Sequence, residues 1–257
     1  MRRVSVEQAA RNNAAWCDAV CAAHGLTASF DDRVWSCASR TPPLYPDAVT
    51  LDPTASADDV LVCVDTTTPG CSVKDSFAML DLRTARFRVL FDATWIGRTR
   101  TNEATRASDT WSRVVDPAEL ERWRRASDLE LRDELLDRED ILILAGRRSS
   151  NANDDDNDIV AGAVLNHSDS VIGISNVFAA GGVLDSVWSA CVGFTDDQFP
   201  GVPLVGYEAG APLAAALRHG FEPLGQLRVW IDADAQSRAD RNPSPIAEHL
   251  RPAKMKK

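Results

Sequence analysis

The chain reads as an α/β fold (α+β in some schemes), and two stretches carry that reading. Residues 171–231 run in the order strand, glycine turn, helix, strand, helix, strand. Just before them, 159–165 and 171–178 are apolar β-rich runs joined by Asn166-His167-Ser168-Asp169, the pattern of a hairpin. The turn after 178 is Ala179-Ala180-Gly181-Gly182. A strand that passes through a glycine turn into a helix exposes backbone N–H groups at a positive helix end, which suits an anion.

Bulk properties narrow the class. With 257 residues the chain can bury a full core, as one large or two modest domains. A net charge of −10 argues against a nucleic-acid or anionic-membrane partner, because phosphate binding needs a basic face. It is compatible with a cationic amine. No run of about 18 apolar residues is present, so no membrane span is expected. The first residues carry charge with no apolar run behind them, unlike a secretory signal. Six scattered cysteines do not make a disulfide scaffold in a chain this long, and a reducing cytoplasm is expected.

In chain order, 5–23 predicts a helix from the spacing of Trp16, Val20 and Ala23, stopped at His24-Gly25. Residues 30–35 suggest a second helical segment capped by Asp31 or Asp32. The three prolines within 41–46 enforce an extended connection into 48–51. Residues 60–64, 76–82 and 87–96 read as strands, the last two as a hairpin. Residues 97–108 are polar and without period, a natural linker. Asp116-Pro117 starts a helix, with Asp as N-cap and Pro in the first turn, and helical spacing continues over 129–136. The wholly apolar run 141–145 is a strand buried on both faces. The acidic run 151–158 is a hairpin loop, since the Gly and distal Glu of a calcium loop are missing. Beyond 232 the chain is charged and Pro-containing, a tail without fixed structure.

The layout, and above all the ending Leu217-Arg218-His219-Gly220-Phe221-Glu222-Pro223-Leu224-Gly225, resembles the GNAT superfamily of acyl-CoA-dependent N-acyltransferases. There, a helix leads into a Gly-Phe pair that opens the last strand. The resemblance covers roughly 111–231. It implies a mixed, largely antiparallel sheet flanked by helices over 110–232, with 171–178 central. An N-terminal α+β domain, 1–105, precedes it as a degenerate second half, and 233–257 is the tail. It also implies acetyl transfer from acetyl-CoA to a small-molecule amine by direct attack. The alternative is a non-catalytic GNAT-fold protein that binds a ligand or partner. A homodimer is left open. The sequence departs from the family twice. Only Ala180-Gly181-Gly182-Val183-Leu184 stands where the family has Arg/Gln-x-x-Gly-x-Gly/Ala, and Ala216 replaces a tyrosine four residues before the Gly-Phe glycine.

On this resemblance, Asn176, Val177 and Phe178 end the central strand where it splays from its neighbour beside acetyl-CoA, and a backbone N–H near Val177 or Phe178 polarises the thioester. The backbone of Gly181, Gly182, Val183 and Leu184 holds the pyrophosphate, without a flanking basic side chain. Asp185 then repels the bound phosphate. Glu208, at a strand's C-terminal edge, is the candidate base, or else a capping carboxylate. Tyr207 is a candidate donor to the leaving thiolate, or else core with its hydroxyl satisfied at the rim. His219 suits a helix C-terminus. Cys17, Cys21 and His24 share a helix face near Cys37, which reads as core packing before zinc, and no metal is assigned. Cys191 reads as packing.

Overall fold

The computed structural model describes residues 4–99, 110–148, 158–168, 170–179 and 184–233. Residues 100–108 of the linker, 151–157 of the acidic loop, the loop residues 180–183 and the tail from 234 lie outside the described residues. In chain order the helices are α1 (Val6–Ala23), α2 (Ala57–Leu61), α3 (Pro117–Ser127), α4 (Leu184–Gln198) and α5 (Gly210–Arg218). The strands are β1 (Ala28–Phe30), β2 (Val34–Cys37), β3 (Ala48–Thr50), β4 (Ser72–Asp75), β5 (Phe87–Arg98), β6 (Trp111–Arg113), β7 (Ile141–Arg147), β8 (Ile159–Ser168), β9 (Val171–Ala179), β10 (Leu204–Glu208) and β11 (Glu222–Asp232). Short 3-10 turns occupy Arg83–Ala85 and Asp133–Asp137.

The chain forms two compact units, and β5 and β11 contribute residues to both. One unit comprises Met1–Trp16 and Trp95–Leu224. Its sheet takes residues 95–98 of β5, then β10, β9, β8, β7 and β6. The pairings β6–β7, β7–β8 and β8–β9 are antiparallel and β9–β10 is parallel, so the sheet is mixed and largely antiparallel with β9 inside it. Helices α4 and α5 pack on one face over Ile96, Ile172, Ile174, Trp188, Cys191 and Phe221. The first half of α1 and α3 take the other face. The second unit comprises Cys17–Thr94 and Gly225–Lys257. Its strand order is β1, β2, β3, β4, β11, β5, around a core that includes Val34, Val60, Val73, Leu82, Phe87 and Trp230.

Local chemistry explains the element ends. The Ser5 hydroxyl accepts the Gln8 N–H while the Gln8 side chain accepts the Ser5 N–H, a capping box for α1. Helix α1 ends before Gly25, whose φ is +73°. Asp116 caps α3 by accepting the Glu119 N–H at 2.8 Å, with Pro117 first in the helix, as the sequence predicts.

Four local expectations are corrected. Helical spacing over 129–136 does not extend α3: the Asp128 C-cap, in a left-handed conformation, ends it, 129–132 is irregular, and a 3-10 turn follows at Asp133–Asp137. Residues 30–35 are not helical: β1 and β2 form a hairpin, with Ser29 paired to Ser36. The Asp31 carboxylate accepts the N–H groups of both Arg33 and Val34, so the aspartate makes a turn where a helix cap is expected. Residues 60–64 are not a strand. Ser56 and Asp59 form a complete capping box and start α2, so capping prevails over the β propensity of Val60 and Val62. Residues 76–82 and 87–96 are not a hairpin either. The strand is β4, displaced toward the N-terminus, and it pairs with β3 and β11. Asp75 turns the chain out of the sheet by accepting the N–H groups of Phe77 and Leu80.

The α1 contact with the hairpin β8–β9 is polar and buried. Asn12 donates its side-chain amide to Asn166 O at 3.0 Å and to Ser168 Oγ at 2.8 Å, and Asn166 donates back to Asn12 O at 3.1 Å. A Cβ on Gly173 would overlap the side-chain oxygens of both asparagines. Gly173→Ala is expected to lower stability by about 2–4 kcal/mol, through overpacking against buried amides. Asn12→Ala alone should cost about 1–3 kcal/mol. The double variant should cost less than the sum, because Asn12 is one of the two obstructions. Thermal unfolding followed by circular dichroism measures all three.

Candidate functional site

The site is built on β9 and β10. These parallel strands share register at two positions, Ile172 with Leu204 and Gly173 with Val205. Beyond them β9 carries an irregularity in its pairing with β8. Ser175 faces Val164 and Phe178 faces Gly162, so Asn176 and Val177 together oppose the single residue between. Asn176 takes φ +53°, a left-handed conformation that asparagine adopts more readily than most residues. Gly206 holds the last close approach, since a Cβ there would stand 3.0 Å from Ile174 O. Past that point no register pair joins the two strands among the described residues, and they splay.

Register assigns the side chains to faces. Gly173, Ser175 and Phe178 lie on the face covered by α1 and α3: Gly173 meets Asn12, and Phe178 stacks edge-to-face on Trp123 of α3 with centroids 5.1 Å apart. Tyr207 lies on the same face and meets Trp95 edge-to-face at 5.4 Å. Glu208 follows Gly206 in alternation, on the α4/α5 face with Ile174 and Ile96. The two candidate catalytic side chains therefore end one strand and diverge to opposite faces.

Their electrostatics differ. Burial pushes the Glu208 carboxyl up to about 8, although part of its surface still meets solvent. It has no hydrogen-bond or ion-pair partner among the described residues. Ser175 Oγ is also buried, with no hydrogen-bond partner among the described residues. A partnerless carboxyl and a partnerless hydroxyl beside an opened pair of strands mark this as the candidate site.

At the other end of the opening stands the first turn of α4. Leu184 is its first residue and is half-buried against the core, while Gly181, Gly182 and Val183 lie outside the described residues. Here sequence reasoning missed two cationic-type side chains. Arg218, from the end of α5, donates to both carboxylate oxygens of Asp185 at 3.0 and 2.8 Å, and His219 Nε2 lies 3.2 Å from the same carboxylate. The Arg218 hydrogen bonds hold the Asp185 carboxyl below the usual range. Asp185 thus carries no isolated negative charge at the helix start, and a basic side chain does flank it. The signal in the sequence was the Arg218-His219 pair itself, which local reading assigns only to the dipole of its own helix. Arg98 is a third missed residue. It is almost fully buried at the end of β5, 3.6 Å from Asp196 of α4, with its Nε against Gly220.

Five of the six cysteines are interior, and Cys63 is half-buried. Cys17, Cys21, Cys37 and Cys191 are buried, and burial pushes the thiols of Cys17 and Cys191 up to about 11 and about 12. Among the described residues, no group of three or more His, Cys, Asp or Glu could hold a metal ion. No described helix is long and apolar enough to cross a membrane.

No family model and no curated protein matches this sequence. Solved structures match its fold. A GCN5-related N-acetyltransferase from Kribbella flavida is 14% identical, over 95% of this chain and 98% of its own, with a TM-score of 0.57. A GNAT-family protein from Novosphingobium aromaticivorans is 9% identical, over 84% of this chain and 96% of its own, with a TM-score of 0.54. A conserved protein of unknown function from Staphylococcus epidermidis is 11% identical, over 79% and 92%, with a TM-score of 0.52. A sheet whose β9 bulges and parts from β10, with α4 starting at the opening, is thus the fold of the GCN5-related N-acetyltransferases, carried at low sequence identity.

Proposed function

We propose that this protein is an acyl-CoA-dependent N-acyltransferase that moves an acetyl group from acetyl-CoA to a small-molecule amine. The observation that carries the reading is the splay of β9 from β10 with partnerless Ser175 Oγ and a desolvated Glu208 at its mouth. The opening fits the pantetheine arm of acetyl-CoA, a narrow chain of amides that can take the place of a lost strand neighbour. Bound there, acetyl-CoA supplies an activated thioester.

The chain's own residues do the rest. The backbone at Asn176, Val177 and Phe178 aligns the arm and offers an N–H to the carbonyl. The backbone of Gly181 to Leu184, at the head of α4, receives the pyrophosphate, with Arg218 held beside it by Asp185. Glu208, once ionised, takes the proton from the amine. Tyr207 donates a proton toward the departing sulfur, its ring braced by Trp95. A cytoplasmic setting belongs to the same reading, and so does the sequential division into 1–105, 110–232 and a tail at 233–257. One observation favours a second reading, a GNAT-fold protein that binds without catalysis: Ala216 is wholly buried in the core, so the position where many relatives carry a tyrosine offers no acid.

Three measurements decide. Acetyl-CoA at millimolar concentration should raise the thermal midpoint, because a ligand that binds only the folded state stabilises it. No shift would favour the binding-only reading of some other ligand. The second is pH dependence. Glu208 is raised from 4.5 to about 8, so the folded state favours the protonated form. The contribution is fully present below about 4.5 and is lost as pH rises through about 8. Glu208→Gln should gain on the parent protein between those limits, by about 1–3 kcal/mol at the upper end. The parent kcat/KM should climb toward pH 8, and that limb should vanish in Glu208→Gln. Third, Asp185→Asn releases Arg218 toward the phosphates, so it should bind CoA about 2–5-fold more tightly at low salt. An unchanged Kd by calorimetry would remove Arg218 from the phosphate site.

A further inference from the structure

We propose that the second unit holds a ligand site of its own, a cleft that takes a small zwitterion of the α-amino-acid class. Every residue that lines it belongs to Cys17–Thr94 or Gly225–Lys257, and it does not rest on the transferase reading.

The cleft has a volume of about 330 Å³, within the range of small-ligand pockets. Thr66, Thr67 and Pro69 line it from the loop between α2 and β4. Ala85 and Arg86 line it from the 3-10 turn before β5, and Asp232 from the end of β11. Hydrogen bonds hold these segments in place. The Asp65 carboxylate accepts from the backbone N–H and the hydroxyl of Thr67 at 2.8 and 2.6 Å. Arg40 donates to the carbonyls of Asp65 and Thr68 at 2.9 and 2.5 Å, and is itself held by the buried Asp47 carboxylate at 2.6 Å. Arg86 takes φ +67° and donates its backbone N–H to Arg83 O at 3.1 Å, and Ala233 donates its N–H to Arg86 O at 2.9 Å. Walls fixed in this way lose little freedom when a ligand binds.

The charges of the lining select the ligand. The Ala233–Arg86 hydrogen bond places Arg86 and Asp232 at neighbouring positions, one cationic and one anionic. Arg86 is exposed and Asp232 half-buried, and ion pairs in such surroundings are weak, so each side chain can engage a ligand group at little cost. A simple anion would meet Asp232 and the chain's net charge of −10, and a simple cation would meet Arg86. A ligand with ammonium and carboxylate on one carbon answers both. The Arg86 guanidinium donates to the carboxylate, and the Asp232 carboxylate accepts from the ammonium. The Thr66 hydroxyl, which has no hydrogen-bond partner among the described residues, donates to the ligand carboxylate. The Thr67 hydroxyl already donates to Asp65, so it can only accept, and it suits the ammonium. Pro69 and Ala85 offer apolar surface and no further charge, which favours an uncharged amino-acid side chain.

The test uses the full chain without acetyl-CoA, with L-alanine, L-serine and L-valine as probes, read by saturation-transfer NMR and titration calorimetry. At least one of the three should bind with a Kd on the order of millimolar, and propionate, propylammonium and glycerol should bind at least about tenfold more weakly. Arg86→Gln and Asp232→Asn should each weaken the amino acid by at least about fivefold. Arg83→Gln removes an exposed cation outside the lining and should leave binding unchanged. Circular dichroism checks that each variant is folded; should Asp232→Asn fail to fold, Arg86→Gln against Arg83→Gln decides. Absence of binding by all three amino acids overturns the proposal. So does propionate, propylammonium or glycerol binding as tightly as the amino acid, or an affinity that Arg86→Gln leaves unchanged.

Discussion

The structure turns on one extra residue in β9. Strand side chains alternate with a period of two, so a single inserted residue reverses the facing of everything after it. Asn176 and Val177 stand against one residue of β8, and Asn176 accepts the left-handed backbone this requires. Without that insertion Phe178 would turn away from Trp123 and onto the α4/α5 face. With it, Ser175 and Phe178 share a face with Tyr207, and β9 parts from β10 beyond Gly173 and Val205.

The bend is held by close packing on both faces. Glycines at 162, 173 and 206 mark where a neighbour approaches too closely for any side chain. Gly173 admits the buried asparagine pair of α1 and β8, Gly162 admits two rings, and Gly206 admits the β9 backbone itself. The reciprocal Asn12–Asn166 hydrogen bonds give that polar contact a single geometry, because a buried amide left unpaired is costly.

Charge is arranged in contrast at the two ends of the opening. At the α4 start, Asp185 is neutralised by Arg218 in the open, where solvent screens the pair. At the β10 end, Glu208 is desolvated and, among the described residues, unpaired, and its burial raises the carboxyl to about 8. The buried Arg98–Asp196 contact links the end of β5 to α4 inside the same unit. A lone buried charge would be far more destabilising than a paired one.

Local signals made most elements from 116 onward legible: the Asp116-Pro117 cap, the apolar β7, the β8–β9 hairpin, α4, β10, α5 and the Gly220-Phe221 start of β11, while the helical spacing over 129–136 gave only a 3-10 turn. Those signals are local, since caps, periodicity and turn residues act within a few positions of themselves. Upstream, the same local rules misjudged 30–35, 60–64 and 76–82, where one aspartate in a turn or a capping box outweighed propensity. Which strands became neighbours was settled by the folded arrangement, with the end of β5 beside β10 and β4 beside β11. It alone brought Trp95 to Tyr207, Trp123 to Phe178 and Arg218 to Asp185. Such pairs join residues 33 to 112 positions apart, and the forces that join them are contact forces. They leave no trace in spacing or composition, because a packing partner is selected by shape at the point of contact and not by distance along the chain.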